Sequence, residues 1–319
     1  LNIKNIKPVT LKELLIRDFP KKEYFLKPLL FRGSLMMIYA SPGIGKTFTA
    51  LGMGLAAASQ GNFLKWKSEV PARTLYVDGE MGDELTQSRL SKLVVSVDYA
   101  YKGENFKIIC PDDFNNGEIP QISNPAHHGF YLEQARDKDL IIFDNYGCLT
   151  TKNGTESDEH VWDRCWGLIK QLKAMKKAII IVHHAGKGGL QLGTSKKEQP
   201  LNWMIELRRP AIYEATEGAR FELRFTKIRG VHGEDVESLL VNIKESAHGL
   251  AWEWGGLDDE LEERIAQMKE VGMSDTQIAL EVGKPLFFIK STLKKSKNEF
   301  SCRGDNYDND DTKDEQELF

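Results

Sequence analysis

Apolar residues gather in four short runs, Leu35 to Ala40, Arg73 to Met81, Asp139 to Asn145 and Ala178 to His184. Rich in β-branched and aromatic residues and bounded by turn formers or charges, they read as strands buried on both faces. Helical patterns lie between them: a small-residue-rich stretch after Thr47, Ser88 to Val97, and His160 to Lys177, where Val161, Leu168, Ile169, Leu172 and Met175 supply the apolar positions. Strands alternating with helices predict an α/β core around a mainly parallel central sheet, because parallel neighbours need a crossover long enough to hold a helix. A short strand is predicted at Phe106 to Cys110. Two more follow at Ala211 to Glu214 and Phe221 to Ile228, closed by a hairpin of Leu239 to Ile243 and Leu250 to Trp254.

The two ends of the chain break this pattern. Residues 1–30 hold a short amphipathic stretch, Leu11 to Asp18, then an extended segment punctuated by Pro20 and Pro28. They read as an arm or linker, packing on the chain's own domain or on a neighbour. Gly255-Gly256 closes a core domain of residues 31–256. A helical module of residues 257–300 follows: an amphipathic helix from Asp258 to Val271, a capping box at Ser274 to Gln277 opening a helix to Val282, a turn at Gly283, and a third helix from Pro285 carrying Lys290, Lys294, Lys295 and Lys297. That order fits a helix-turn-helix against DNA, or a small packing module. Residues 301–319, acidic and poor in apolar side chains, are expected to be disordered.

Composition narrows the class. At 319 residues and 41% hydrophobic content, the chain can bury one large core plus a small appendage. A net charge of −4 gives no basic field overall, so nucleic-acid contact must come from local patches. Cys110, Cys148, Cys165 and Cys302 form no Cys-x-x-Cys pair, which argues against zinc and suits a reducing cytosol. No apolar run approaches the roughly 20 residues of a membrane span, and the N-terminus lacks a signal-peptide core, so a cytoplasmic protein without a membrane partner is expected. Leu1 rather than Met opens the sequence, as in a piece of a longer polypeptide.

Candidate chemistry clusters at the strand ends. After Leu35 to Ala40 comes Ser41-Pro42-Gly43-Ile44-Gly45-Lys46-Thr47-Phe48, a glycine-bearing loop that opens a helix. Gly43 and Gly45 let successive backbone N–H groups turn inward on a phosphate, and the helix adds its positive end. These eight residues are the expected nucleotide contacts, with Lys46 on the phosphates and Thr47 on Mg²⁺. Ala40 stands where a first glycine is usual, which a negative φ would make harmless. Asp78 and Glu80 end the second strand, where a parallel sheet places its ligands, and Glu80 is the candidate base for an attacking water. Asp144 ends the third, placed to hold Mg²⁺ through its water shell. His183 and His184 end the fourth, placed to sense a terminal phosphate. His127 and His128 have no third metal ligand at sensible spacing and read as a solvated loop.

Two further sets of cations stand out. Gly186 to Lys197 is glycine-rich and basic, and Lys187, Lys196 and Lys197 are candidate DNA contacts, joined by Lys290 and Lys294 in the helical module. Lys227 and Arg229, two apart, share one side of a strand end. They would meet a phosphate of the same chain or the nucleotide of a neighbour, or stand as surface cations.

Taken in order, Ala40 to Thr47, Tyr76-Val-Asp-Gly-Glu-Met81, Ile141-Ile-Phe-Asp-Asn145, Ile181-Val-His-His184 and Lys227-Ile-Arg-Gly230 resemble the RecA-like AAA_25 ATPases. The likeness is nearest to RepA-type hexameric replicative helicases of plasmids and the ATPase halves of primase-helicases. It covers about Phe19 to Trp254. The resemblance implies a RecA-like P-loop NTPase core using ATP and Mg²⁺, Glu80 as catalytic base, Asp144 organising the metal, and His183 or His184 as phosphate sensor. It also implies Lys227 and Arg229 acting on the adjacent subunit of a homo-hexamer, with single-stranded DNA in a central channel and a primase or other replication proteins as partners. A helicase acting in plasmid or phage replication is therefore expected; a RecA-like ATPase without unwinding activity and a nucleotide-gated DNA-binding regulator are the alternatives. The chain departs from the family pattern at Leu192-Gly193-Thr194-Ser195, where members often carry Arg-Gly-Ser.

Overall fold

A computed structural model describes residues 7–151, 158–185, 195–210, 213, 218–246, 249–257 and 259–294. The glycine-rich loop with Lys187, the distal Lys295 and Lys297, and the acidic tail lie outside the described residues. The chain forms two compact units, residues 1–237 with 241–253, and residues 238–240 with 254–319.

In chain order the first unit begins with α1 (Leu11–Leu15), β1 (Tyr24–Leu26), β2 (Leu30–Phe31), β3 (Leu35–Ala40) and α2 (Lys46–Ser59). A small hairpin of β4 (Asn62–Phe63) and β5 (Trp66–Lys67) precedes β6 (Thr74–Asp78), α3 (Gly82–Val94), β7 (Phe106–Ile109) and α4 (His128–Gln134). Then come β8 (Leu140–Asp144), α5 (Asp158–Ala174), β9 (Ala178–His184), α6 (Ser195–Glu198), β10 (Trp203–Arg208), β11 (Ala219–Ile228), β12 (Leu239–Ser246) and β13 (Gly249–Gly256).

Nine strands make one sheet in the order β13-β12-β11-β10-β3-β9-β8-β6-β7. From β10 to β7 every neighbouring pair is parallel, and β11 then runs antiparallel to β10. The strand that feeds the glycine loop is thus central, flanked by β10 and β9, and all six of its residues are buried. Ala40 is its last residue, in extended backbone as the loop requires.

Strand parity sorts the side chains. Leu35, Met37, Tyr39, Leu75, Val77, Ile141, Phe143, Ile179 and Ile181 face α5 in one large core with Trp162, Leu168 and Leu172. The alternate residues, among them Tyr76, Asp78, Asp144, Val182 and His184, belong to the other face. There α2 packs so closely that a Cβ at Gly54 would stand 2.7 Å from Ile142.

Several elements differ from the sequence pattern. β10 (Trp203–Arg208), absent from the sequence pattern, buries Trp203, Ile205 and Leu207; the strand expected at Ala211 to Glu214 lies, apart from Tyr213, outside the described residues. α3 starts at Gly82, six residues before Ser88, because Asp78 accepts from the N–H groups of Glu80 and Met81 while Asp83 and Glu84 sit at the positive helix end. His128 opens α4, buried and bonded to the Ile122 carbonyl, so it is a packing residue and not part of a solvated loop. β13 runs through Gly255-Gly256.

The second unit contains α7 (Asp259–Glu270), α8 (Asp275–Val282) and a helical stretch over 286–294. Ile265, Ile278 and Ile289, one from each, are fully buried against one another. Ser274 and Gln277 form the capping box of α8, and Gly283 ends it at φ +63°. Lys290 and Lys294 are exposed one turn apart.

Candidate functional site

The phosphate loop takes its shape from the backbone upward. Gly43 (φ +73°) and Gly45 (φ +125°) occupy conformations that L side chains rarely adopt. Gly45 is also the N-cap of α2, and neither a side-chain cap nor an acidic residue satisfies the first turn. The open N–H groups and the unbalanced dipole make this end an anion cradle. A Cβ on Gly45 would stand 2.8 Å from Phe221.

Inside the loop the buried Lys46 ammonium donates to the carbonyls of Ala40 (3.1 Å) and Ser41 (3.0 Å). Burial lowers its pKa, and the nearby charges of Asp144 and Glu80 oppose that shift. Thr47 and Tyr76 hydroxyls both hydrogen-bond Asp144, Tyr76 at 2.6 Å to Oδ2. Burial nevertheless pushes Asp144 up to about 6. This donor set of a loop hydroxyl and a strand-end carboxylate fits Mg²⁺, an oxygen-seeking ion that keeps part of its water shell.

Glu80 is exposed beyond the tip of β6 and accepts from Asn145 Nδ2 at 2.6 Å. Its neighbour Asp78 is spent on structure: besides the two backbone N–H groups, it accepts from the Thr86 hydroxyl at 2.6 Å. The histidines separate by parity. His183 is buried on the core side, edge-on to Tyr146 with ring centroids 4.9 Å apart. His184 lies on the loop side, where burial and then Lys46 lower its pKa, and its Nδ1 has no hydrogen-bond partner among the described residues. Ser41, Pro42, Gly43 and Ile44 line the loop ahead of Lys46, Ile44 being buried; Phe48 in α2 lies under the Arg89 guanidinium at 5.3 Å.

Residues 4–189 match the model of the AAA_25 family, an AAA domain, over more than half of the chain. The chain belongs to this family. Solved structures similar to this AAA-domain chain include a KaiC-like protein from the hyperthermophilic archaeon Pyrococcus horikoshii OT3, with 12% identity, TM-score 0.48, and coverage of 72% of this chain and 93% of that one. The flagellar accessory protein FlaH from Methanocaldococcus jannaschii has 15% identity and TM-score 0.44, with 70% and 90% covered. No curated protein matches the sequence. The family assignment and the sheet agree on a RecA-like P-loop NTPase fold.

Other cations of this AAA domain lie elsewhere. Lys227 donates to the carbonyls of Glu198 and Gln199, and Arg229 also donates to Gln199, so both hold the end of α6. Lys227 pairs with Met204, itself level with Met37, and Ile228 pairs with Trp203. The pair therefore sits toward the starts of the parallel strands, about 10–15 Å back along β3 from the loop. Lys173 of α5 joins them, its pKa lowered by burial and by Arg229. Lys197, expected on a DNA-facing loop, is 2% exposed with its ammonium 4.8 Å from the Tyr146 ring centroid; packing on that ring turns it inward. Lys196 stands in α6.

Arg209 was not legible as a site residue. It donates to the Gly43 carbonyl at 3.1 Å and to that of Arg220 at 3.1 Å, and lies 4.0 Å from the Tyr213 ring centroid. With Phe221 it braces the phosphate loop from β10 and β11.

Proposed function

We propose that this AAA-domain chain is an ATP hydrolase that assembles head to tail and acts on single-stranded DNA as a ring-forming helicase or translocase. In this reading Lys46, Thr47 and the α2 N-terminus hold the nucleotide phosphates. Thr47 and Asp144 would hold Mg²⁺, which supplies charge neutralisation on the phosphates. Glu80, aligned by Asn145, takes the proton of the attacking water, and His184 reads the terminal phosphate.

One observation supports assembly above all: Lys227 and Arg229 sit at the opposite end of the sheet from their own phosphate loop. Cations there serve a nucleotide bound by a neighbour, as a head-to-tail contact would arrange. Lys290 and Lys294, exposed on the second unit, support a DNA contact.

The test combines native mass measurement with ATP and single-stranded DNA, ATP turnover with and without single strands, and displacement of a forked duplex. The expected result is a closed oligomer, turnover stimulated by single strands, and strand displacement. Stimulated turnover without displacement would indicate an ATPase that does not unwind. Slow turnover with preference for one duplex sequence would indicate a regulator.

A further inference from the structure

The helical module holds a motif that the nucleotide site leaves unused. α8 is a helix of 8 residues closed by Gly283 in the left-handed region, at φ +63°. Gly283-Lys284-Pro285 make a short turn, and the helix over 286–294 follows directly. Two helices joined by so short a glycine-led turn are the arrangement that presents its second helix to DNA. The core decides which side of that helix is free. Ile289 packs with Ile265 of α7 and Ile278 of α8, Phe288 and Leu293 lie half-buried against them, and Thr292 is buried as well.

Phe287, Lys290, Ser291 and Lys294 take the opposite side at i, i+3, i+4 and i+7 spacing, and all are exposed, Phe287 by 75%. The helix over 286–294 carries no carboxylate. The two of α8 are turned to cations of α7, Asp275 to Lys269 at 2.6 Å and Glu281 to Arg264 at 3.6 Å. Lys284 in the turn, its ammonium 5.3 Å from the Phe288 ring centroid, adds an exposed cation ahead of the helix. The free side is therefore a cationic ridge with one bare aromatic ring. A helix about 10–12 Å across fills a major groove about 12 Å wide. Single strands are held differently, in a basic groove where several rings stack on successive bases. A ridge with a single exposed ring fits the duplex.

We propose that the second unit is a sequence reader of double-stranded DNA, with the helix over 286–294 in the major groove. Phe287 meets a thymine methyl group, Lys290 and Ser291 meet base edges, and Lys284 and Lys294 take phosphates at the two ends of the helix. This gives a duplex site to a chain whose ring reading needs only single strands, and it does not rest on that reading. Such a site places the ATPase beside a chosen sequence.

The test passes a pool of duplexes with a randomised core over the full chain, then measures the selected duplex by fluorescence anisotropy against a shuffled duplex and against its own separated strands. The expected result is one enriched sequence, bound at least about tenfold tighter than either comparison. Phe287→Ala should weaken the selected duplex about fivefold or more and leave the shuffled one unchanged, and Lys290→Gln should do the same through a different side chain. Lys284→Gln and Lys294→Gln should weaken both duplexes alike, each lowering the slope of log affinity against log salt by about 1. Circular dichroism should be unchanged throughout, because all four side chains are exposed. No enriched sequence, or single strands bound as tightly as the selected duplex, would overturn the proposal, as would full preference surviving both Phe287→Ala and Lys290→Gln. A chain that displaces strands but selects no duplex would sink this inference alone. One that selects a duplex but displaces nothing would leave it standing and sink the unwinding.

Discussion

The Asn145 side-chain amide donates to Glu80 Oε2 at 2.6 Å, joining the tips of two adjacent strands. Glu80 is thereby aimed by the residue that follows Asp144. Glu80→Gln should bind ATP within about threefold of the parent while turnover falls roughly 10²–10⁴-fold, the range for loss of a general base. Asn145→Ala should lower kcat by a smaller factor, about tenfold, with KM little changed. Steady-state hydrolysis retained by Glu80→Gln would remove Glu80 as the base.

Asp144 makes the nucleotide-free protein pH-dependent in an unusual direction. Its pKa rises from 3.8 to about 6 on folding, so the folded state holds the extra proton between those values. Stability from this group is full below pH 3.8 and declines as pH rises through 6, by at most about 3 kcal/mol. Asp144→Asn should therefore raise the Tm of the nucleotide-free chain at pH 7.5 and leave it unchanged near pH 4, as scanning calorimetry would show. Mg²⁺-dependent nucleotide binding should weaken below pH 6 in the parent chain. An unaltered Tm at pH 7.5 would contradict the burial argument.

His184 should titrate below the ordinary histidine value of 6.5, because burial and Lys46 both disfavour its cation. Replacing Lys46 by Ala removes the second cause, so the His184 midpoint in an NMR titration should move upward. No movement would place Lys46 and His184 out of electrostatic reach.

If Arg229 completes a neighbour's site, Arg229→Ala and Lys46→Ala chains, each inactive alone, should recover part of the ATPase when mixed. Some contacts then pair an intact Arg229 with an intact phosphate loop. Assembled mixtures with no recovery would count against action between subunits.

Gly45→Ala meets two obstacles, a φ of +125° and Phe221 at 2.8 Å. The strained backbone alone costs about 1–3 kcal/mol. Nucleotide binding should be lost, and Phe221→Ala in the same chain should restore part of it. Full binding by Gly45→Ala would show that the loop is free to move away from β11.

Much of this site could be read from local sequence because its parts are local. An apolar run ending in Asp144, or a glycine loop ahead of Lys46, carries its geometry in consecutive residues. The choice between His183 and His184 was not legible, since it depends on which face of β9 meets α2. Lys197 looked like part of a basic loop because charge is visible in sequence and the ring of Tyr146 beneath it is not. β10 was not legible for a similar reason: Glu206 and Arg208 interrupt its apolar pattern, and only its pairing with β3 and β11 shows why Trp203, Ile205 and Leu207 are buried.

The brace on the phosphate loop has a consequence for how the protein is made. Arg209 lies 166 residues after Gly43, and Phe221 follows it. During synthesis, every residue proposed to hold the chain's own nucleotide phosphates leaves the ribosome before the two side chains that steady the loop. A fragment ending with the family-matched segment at 189 would contain the residues proposed to hold its own nucleotide but neither brace. Competence for nucleotide should therefore appear late in translation, when β10 and β11 close on β3, and a nascent chain short of Phe221 would hold its glycine loop open.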